Sequence, residues 1–265
     1  MTNKTDEGVR MRDLAVNLEW LFTEAGDDTA SRIRAAAEHG LNAVEIWGWR
    51  DKEIAAIEDA LSSTGVQLLS LIVDPQLQLT DPATHEEYLA GVRDSLAVAQ
   101  RLRSPNLVVV SGAERPGVPR QEQHDAVVSV LTRAAALLDG SDVTLLLEPL
   151  NTRVDHPDAF LSSTLEGLEV VREVGSPHLR LLLDAYHALM MDEDLAAVVG
   201  PDIDLVGHVQ VADIPGRHEP GTGTVDWAHQ FAVLRGLGYA GAFGMEYVPT
   251  TETRASLTHV ASLTR

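Results

Sequence analysis

Four oxygen-bearing side chains occupy matching places along this chain: "LLLE" closes on Glu148, "LLLD" on Asp184, "HVQ" on Gln210 and "AFGME" on Glu246. Each ends a short apolar run. An ionised carboxylate beside an apolar core is costly unless it is paired or bound to a cation, and carboxylates drawn together also repel one another. A divalent cation relieves both costs. Two glutamates, an aspartate and an amide oxygen form a hard, all-oxygen donor set, which favours Mg²⁺ or Mn²⁺ over zinc and leaves positions open to substrate or water. Any one of the four reads equally well as a helix cap or an arginine partner. The repetition over four segments is what points to a cation site.

Other polar residues cluster near these ends. "DAYH" places His187 three residues after Asp184, and "EPLNTRVDHP" offers Asn151, Arg153 and His156 after Glu148. Arg153 reads equally as a surface ion-pairing residue. His208 alternates with Gln210 and shares its strand face, which suits a core histidine or an orienting partner. The stretch "GHVQVADIPGRHEPGTGTVDW", 207–227, carries Arg217, His218 and Glu219 among glycines and prolines. Lying directly after Gln210, it can bring Arg217 over the site to grip a carboxylate or oxyanion with its planar fork, with Glu219 beside it as a further substrate contact. The "GTG" within it reads equally as a phosphate cradle or as a plain turn before a helix opened by Asp226. Trp47 and Trp49 in "AVEIWGW" offer aromatic faces for a sugar ring or a longer carbon chain.

The elements that must carry these residues follow from periodicity. Apolar runs recur at 14–20, 43–49, 66–73, 106–112, 143–151, 179–187, 205–213 and 241–248, each followed by a segment with helical spacing, at about 29–39, 51–63, 84–103, 121–138, 163–174, 192–199, 226–236 and 252–263. Glycines in "EHGLNA", "STGVQ", "LDGSDV" and "VGSPHL" suit helix C-caps. Eight alternating pairs predict an α/β fold, a single-domain (β/α)8 TIM barrel over 13–265 with a flexible tail at 1–12, whose chemistry gathers at the C-terminal strand ends. A doubly wound open sheet is the competing architecture, but no G-x-G-x-x-G or Walker motif follows a strand.

Composition narrows the function. Forty acidic against twenty basic residues give a formal charge of −20, so sequence-independent binding of nucleic acid or anionic lipid is not expected. An anionic substrate then needs a local cationic clamp. The absence of cysteine removes disulfides, thiolate metal sites and cysteine nucleophiles. "MTNKTDEGVRMR" has no apolar centre and does not read as a signal peptide. No apolar run reaches the roughly 18 residues of a membrane span. The expectation is a cytoplasmic enzyme for a small molecule, with no nucleic-acid or membrane partner and with homo-oligomerisation left open.

The segments "NLEWLF", "AVEI", "LLLEPLNTR", "EVGSPHLRLLLDAYH", "GHVQVADIPGRHEPGTG" and "GYAGAFGMEY" resemble, in order and spacing, the hydroxypyruvate isomerase family. That family belongs to the xylose-isomerase-like barrels, which also include ketose 3-epimerases. The resemblance implies that Glu148, Asp184, Gln210 and Glu246 hold the metal, that Glu148 and Glu246 form the acid and base pair, and that His187 and Arg217 hold substrate. It implies conversion of hydroxypyruvate to tartronate semialdehyde through a cis-enediolate, with proton return to the same carbon giving epimerisation instead. Two stretches depart from the family pattern. "IWGWRD" stands where an aromatic and proline-containing stretch is usual, and "LIVDPQL" lacks the "HN" pair often found there. Both should line the mouth, so the metal chemistry carries over better than the substrate. A ketose 3-epimerase or other sugar or inositol isomerase, a phosphodiester hydrolase and a non-catalytic sugar-acid-binding barrel are the competing readings.

Overall fold

A computed structural model of the protein describes residues 10–263. Eight parallel strands close into a barrel in sequence order: β1 (Leu14–Asn17), β2 (Ala43–Glu45), β3 (Gln67–Ile72), β4 (Asn106–Val110), β5 (Thr144–Glu148), β6 (Leu179–Asp184), β7 (Val206–Val211) and β8 (Phe243–Met245), with β8 returning to pair with β1. The helices are α1 (Thr29–Glu38), α2 (Ile54–Thr64), α3 (His85–Leu102), α4 (Arg120–Ala136), α5 (Thr164–Val174), α6 (Ala185–Met190), α7 (Leu195–Val199), α8 (Trp227–Leu237) and α9 (Thr253–Val260). The (β/α)8 TIM barrel expected from the alternation of runs is therefore the fold. Of the expected tail, residues 1–9 lie outside the described residues, while Met11–Asp13 form a 3-10 turn leading into β1.

Strand residues alternate between the helical shell and the barrel interior. The shell side buries the main core, including Leu145, Leu147, Leu181, Leu183, Val209 and Val211. Inside, Val108, Leu146 and Leu182, with Ile72 against them, form a separate apolar floor. Its register follows the sheet, since Ile72 pairs with Val108 and Val108 with Leu146. Two residues further along β5, β6 and β7 the same parity delivers Glu148, Asp184 and Gln210 to the interior above that floor. Glycines keep the interior open: a Cβ on Gly207 would sit 2.6 Å from Leu146 Cδ2, and one on Gly244 would sit 2.8 Å from Glu45 Oε1 and 2.9 Å from Gln210 Cγ.

One element departs from the expected order. The sixth strand ends at Asp184, as the sequence suggests, but the chain turns at once into α6 where a loop was expected to carry His187. Asp184 is the reason, because its Oδ1 accepts the Tyr186 backbone N–H at 2.8 Å and caps the new helix. His187 thus sits on the first turn of a helix rather than in a loop, three residues from Asp184 and on its face.

Candidate active site

The strand ends gather a buried anionic cluster. Glu45, Glu148, Asp184 and Glu246 are 0%, 7%, 3% and 6% exposed, so none can rely on water for its charge. Above them lies a cavity of about 680 Å³ lined in part by Trp20, Trp47, Glu148, His187, Arg217 and Glu246. Asp184 divides its carboxylate between two tasks, with Oδ1 capping α6 and Oδ2 facing inward toward Arg217 at 3.3 Å. Arg217 also donates to Glu246 Oε1 at 2.8 Å. Its guanidinium lies 4.8 Å from the ring centroids of both Trp20 and Tyr186. A positive charge therefore stands where two of the sequence-predicted ligand carboxylates converge.

The loop that delivers Arg217 is built around a buried aspartate. Asp213, just beyond β7, accepts the backbone N–H groups of Gly221 at 2.7 Å, Gly223 at 2.9 Å, Val225 at 3.3 Å and Ile214 at 2.8 Å. A Cβ at Gly223 would fall 2.2 Å from the Ile214 carbonyl and 2.5 Å from Asp213 Oδ1. The glycine is needed for this close approach. Arg217 itself has φ 55°, in the left-handed region, and its carbonyl accepts from Val248 N at 2.9 Å. Glu219 turns away from the cavity, accepting from Thr250 N at 2.9 Å and Thr250 Oγ1 at 2.6 Å, and so ties the loop to the chain after β8.

His187 has a definable role. Its Nδ1 faces the Asn151 backbone N–H at 3.1 Å and the Asn151 side-chain nitrogen at 2.7 Å, so Nδ1 is the acceptor and the neutral ring carries its hydrogen on Nε2. Burial drives its pKa down to about 4, with Asp184 opposing the shift; the ring is neutral at neutral pH. Nε2 lies 3.5 Å from Asp184 Oδ2 and 3.8 Å from Glu148 Oε1, buried and without a hydrogen-bond partner. One ligand atom from each of Glu148, Asp184 and His187 lies within 4.8 Å of the others. Because Nε2 presents a hydrogen, the imidazole is better suited to donating to a substrate oxygen than to giving a lone pair to a metal.

The electrostatics are those of a site short of positive charge. Burial raises the Glu148 carboxyl well above its ordinary range, and Glu246 and Asp184 push it further. Burial likewise raises Glu246, to about 7, although the Arg217 charge pulls it down. Burial acts against the charge on Arg217, and Asp184, Glu246 and Glu148 more than offset that, holding its pKa above the usual arginine value. Gln210 directs its nitrogen to Glu45 Oε2 at 2.9 Å and to Glu246 Oε2 at 2.8 Å, while its Oε1 is buried with no partner. An unpartnered amide oxygen beside several buried carboxylates is a donor set that fits a hard divalent cation.

The residues expected from sequence are mostly drawn into this arrangement. Asp184, Arg217, Glu246 and Gln210 form one connected group, and His187, itself beside Glu148, approaches the same Asp184 Oδ2 that faces Arg217. Asn151 orients His187, and Trp47 packs edge-on against Trp20 with ring centroids 5.1 Å apart. Arg153 lies at the surface, paired with Asp192 at 2.6 Å. Sequence reasoning did not single out Asn17, Trp20, Glu45, Asp155 or Tyr186. Asn17 donates to Glu246 Oε2 at 3.0 Å; Tyr186 Oη donates to Asp155 at 2.8 Å, and Asp155 Oδ1 lies 3.9 Å from Arg217. Glu45 gave no comparable signal, since in "AVEIWGW" it stands inside its apolar run rather than at the end of one.

Fold and site together define a (β/α)8 barrel whose strand-end carboxylates are buried around one cavity. The family model for the xylose isomerase-like TIM barrel matches residues 33–263. Hydroxypyruvate isomerase of Escherichia coli (strain K12) is 31% identical over 254 residues, covering 93% of this chain and 97% of that protein. The 2-oxo-tetronate isomerase of Cupriavidus necator is 29% identical, covering 93% and 96%. The crystal structure of AP endonuclease, family 2, from Brucella melitensis superposes with a TM-score of 0.87 at 30% identity, covering 94% and 97%. The chain belongs to the xylose isomerase-like TIM barrels and, within them, to the isomerases related to hydroxypyruvate isomerase.

Proposed function

We propose that the protein is a divalent-metal-dependent isomerase of a small hydroxy-keto acid, with hydroxypyruvate, converted to tartronate semialdehyde, as the leading substrate. The observation that carries this reading is the convergence of Asp184 Oδ2 and Glu246 Oε1 on one cationic group, beside the unpartnered oxygen of Gln210 and the buried Glu148. Glu148, Asp184, Gln210 and Glu246 would hold Mg²⁺ or Mn²⁺. When bound, the ion supplies a Lewis acid that offsets negative charge building up on the substrate oxygens during proton transfer.

The side chains of this chain supply the rest. Glu246, just beyond β8, and Glu148, at the end of β5, come from different parts of the barrel wall, so one carboxylate can take the proton beside the carbonyl and the other can return a proton to the neighbouring carbon. Burial raises both carboxyls above their ordinary range, Glu246 to about 7, which favours proton transfer through them. His187 donates from Nε2 to a substrate oxygen, held in that tautomer by Asn151. Arg217 offers its planar fork to the substrate carboxylate, and the Trp20 and Tyr186 rings limit where that fork can point.

A second reading within the same chemistry is a longer substrate, such as a four-carbon hydroxy-keto acid or a ketose. The cavity volume of about 680 Å³ lies in the range that accommodates ligands far larger than a three-carbon acid, and Trp20 and Trp47 could pack along the added carbons. Phosphodiester hydrolysis is disfavoured by the charge of −20 and by a candidate metal group that, among the described residues, contains a single histidine.

The test is isotope exchange. Metal-loaded protein in D₂O should introduce deuterium beside the carbonyl of hydroxypyruvate, of a four-carbon hydroxy-keto acid or of a ketose, and the labelled position separates isomerisation from epimerisation. Glu246→Gln should abolish exchange and leave the protein folded. Exchange at the wild-type rate in that variant would remove Glu246 from the chemistry.

A further inference from the structure

We propose that Glu45 is a positioning residue for Gln210: buried below the cavity and braced by His208, it fixes the side-chain amide so that Oε1, not the nitrogen, faces the cation site. The inference rests on the reading of Gln210 as a ligand given above and adds what makes it one. An amide side chain is ambiguous, since a half-turn about its last bond exchanges an acceptor for a donor. Left free, Gln210 would offer a cation the wrong end half of the time. In this structure its nitrogen donates to two carboxylates at once, Glu45 Oε2 at 2.9 Å and Glu246 Oε2 at 2.8 Å. The reversed amide would set an oxygen lone pair against two carboxylate oxygens, which is repulsive on both sides.

Of the two acceptors, Glu45 is the one whose role is orientation. Glu246 lines the cavity and faces Arg217, whereas Glu45 is 0% exposed and is not among the residues lining the cavity. Its other oxygen makes a short contact with His208 Nε2. His208 Nδ1 in turn lies 3.4 Å from the Tyr239 hydroxyl, which is itself held by Val209 N at 3.1 Å and the Ala242 carbonyl at 2.6 Å. The chain of contacts runs from the barrel wall to the ligand. Gly244 leaves the space that Glu45 and Gln210 jointly fill.

Mn²⁺ binding to the metal-free protein, followed by calorimetry without substrate, tests this. Residues that orient a metal ligand commonly contribute about 10–100-fold to affinity, so Glu45→Met should weaken Mn²⁺ binding by a factor in that range. Glu45→Gln keeps a carbonyl oxygen for the Gln210 nitrogen and should bind within about threefold of wild type. The double variant Glu45→Met/Gln210→Ala should bind no more weakly than Gln210→Ala alone, because the effect of Glu45 passes through Gln210. Wild-type affinity in Glu45→Met, or fully multiplicative losses in the double variant, would overturn the inference. Should Glu45→Met not fold, the wild-type Gln210 side-chain amide protons decide by NMR: slow exchange with solvent is expected from two buried acceptors, and fast exchange overturns the assignment. Failure of the wild-type protein to bind Mn²⁺ would overturn the site reading itself and this inference with it, whereas a wild-type site indifferent to Glu45 overturns the inference alone.

Discussion

Arg217 holds an unusual position for a side chain expected to meet substrate, since it already bonds Glu246 and Asp184 in their buried setting. Its planarity matters as much as its charge. A guanidinium can lie between the Trp20 and Tyr186 rings and still present an edge to two carboxylates, which a lysine ammonium cannot do. Arg217→Lys should therefore keep the fold but lower kcat/KM on an acid substrate roughly 10–100-fold, the equivalent of one hydrogen bond to a charged group at about 1.5–3 kcal/mol. Steady-state kinetics check this, and unchanged kcat/KM would show that charge alone suffices. His187 offers a second case. Asn151 fixes its tautomer through a backbone N–H as well as a side chain, so Asn151→Ala should leave the ring orientation largely intact and reduce kcat by less than His187→Ala does. An Asn151→Ala loss as large as the His187→Ala loss would shift the burden to the Asn151 side chain.

The elements matter through what they anchor. The loop after β7 owes its path to the Asp213 carboxylate, which satisfies four backbone N–H groups. Asp213→Ala leaves those donors without their partner, and unsatisfied buried groups cost about 1–3 kcal/mol each. Allowing for water to reach some of them, a net loss of about 3 kcal/mol is expected, which at roughly 2–4 °C per kcal/mol for a domain near this size lowers Tm by about 6–12 °C. Thermal unfolding measures it, and activity should fall further than stability does because Arg217 loses its anchor. A Tm within a degree or two of wild type would show that the loop is held by other contacts. On β8, Gly244 faces the interior, where a Cβ would crowd Glu45 and Gln210; Gly244→Ala should reduce metal affinity while the barrel still closes, as metal titration of the folded variant would show.

For the molecule as a whole, the buried carboxylates work against the fold, and on the proposed reading a bound cation would offset that cost. A ligand that binds only the folded state stabilises it by about 2.7 kcal/mol at a concentration of 100 times its Kd. Mg²⁺ or Mn²⁺ should therefore raise Tm by several degrees, and a chelator should reverse the rise; calorimetry with and without metal reads the effect, and a Tm indifferent to both would argue against a cation at the strand ends. In a chain of charge −20, Arg217 is, among the described residues lining the cavity, its single arginine or lysine. On the proposed reading, specificity for an anionic substrate would depend chiefly on that residue and the loop that carries it.

The alternation of apolar runs and helical segments was enough to determine the (β/α)8 architecture, because each apolar run is followed by a segment of helical spacing, and several of those helices close on a left-handed glycine, at Gly65, Gly175 and Gly238. The carboxylates that end those runs were legible for the same reason, a charge at the edge of an apolar run being conspicuous. The start of α6 was not, since the cap that begins it uses the same Asp184 that ends β6. Glu45, Asn17 and Trp20 needed the closed barrel, which brings β1 and β2 against β7 and β8 across more than 160 residues of chain, while Asp155 needed the later loops that carry Tyr186 and Arg217. Which end of the Gln210 amide faces inward, and which nitrogen of His187 carries the hydrogen, were decided by tertiary structure alone, because both depend on partners from distant strands and loops that no local spacing encodes.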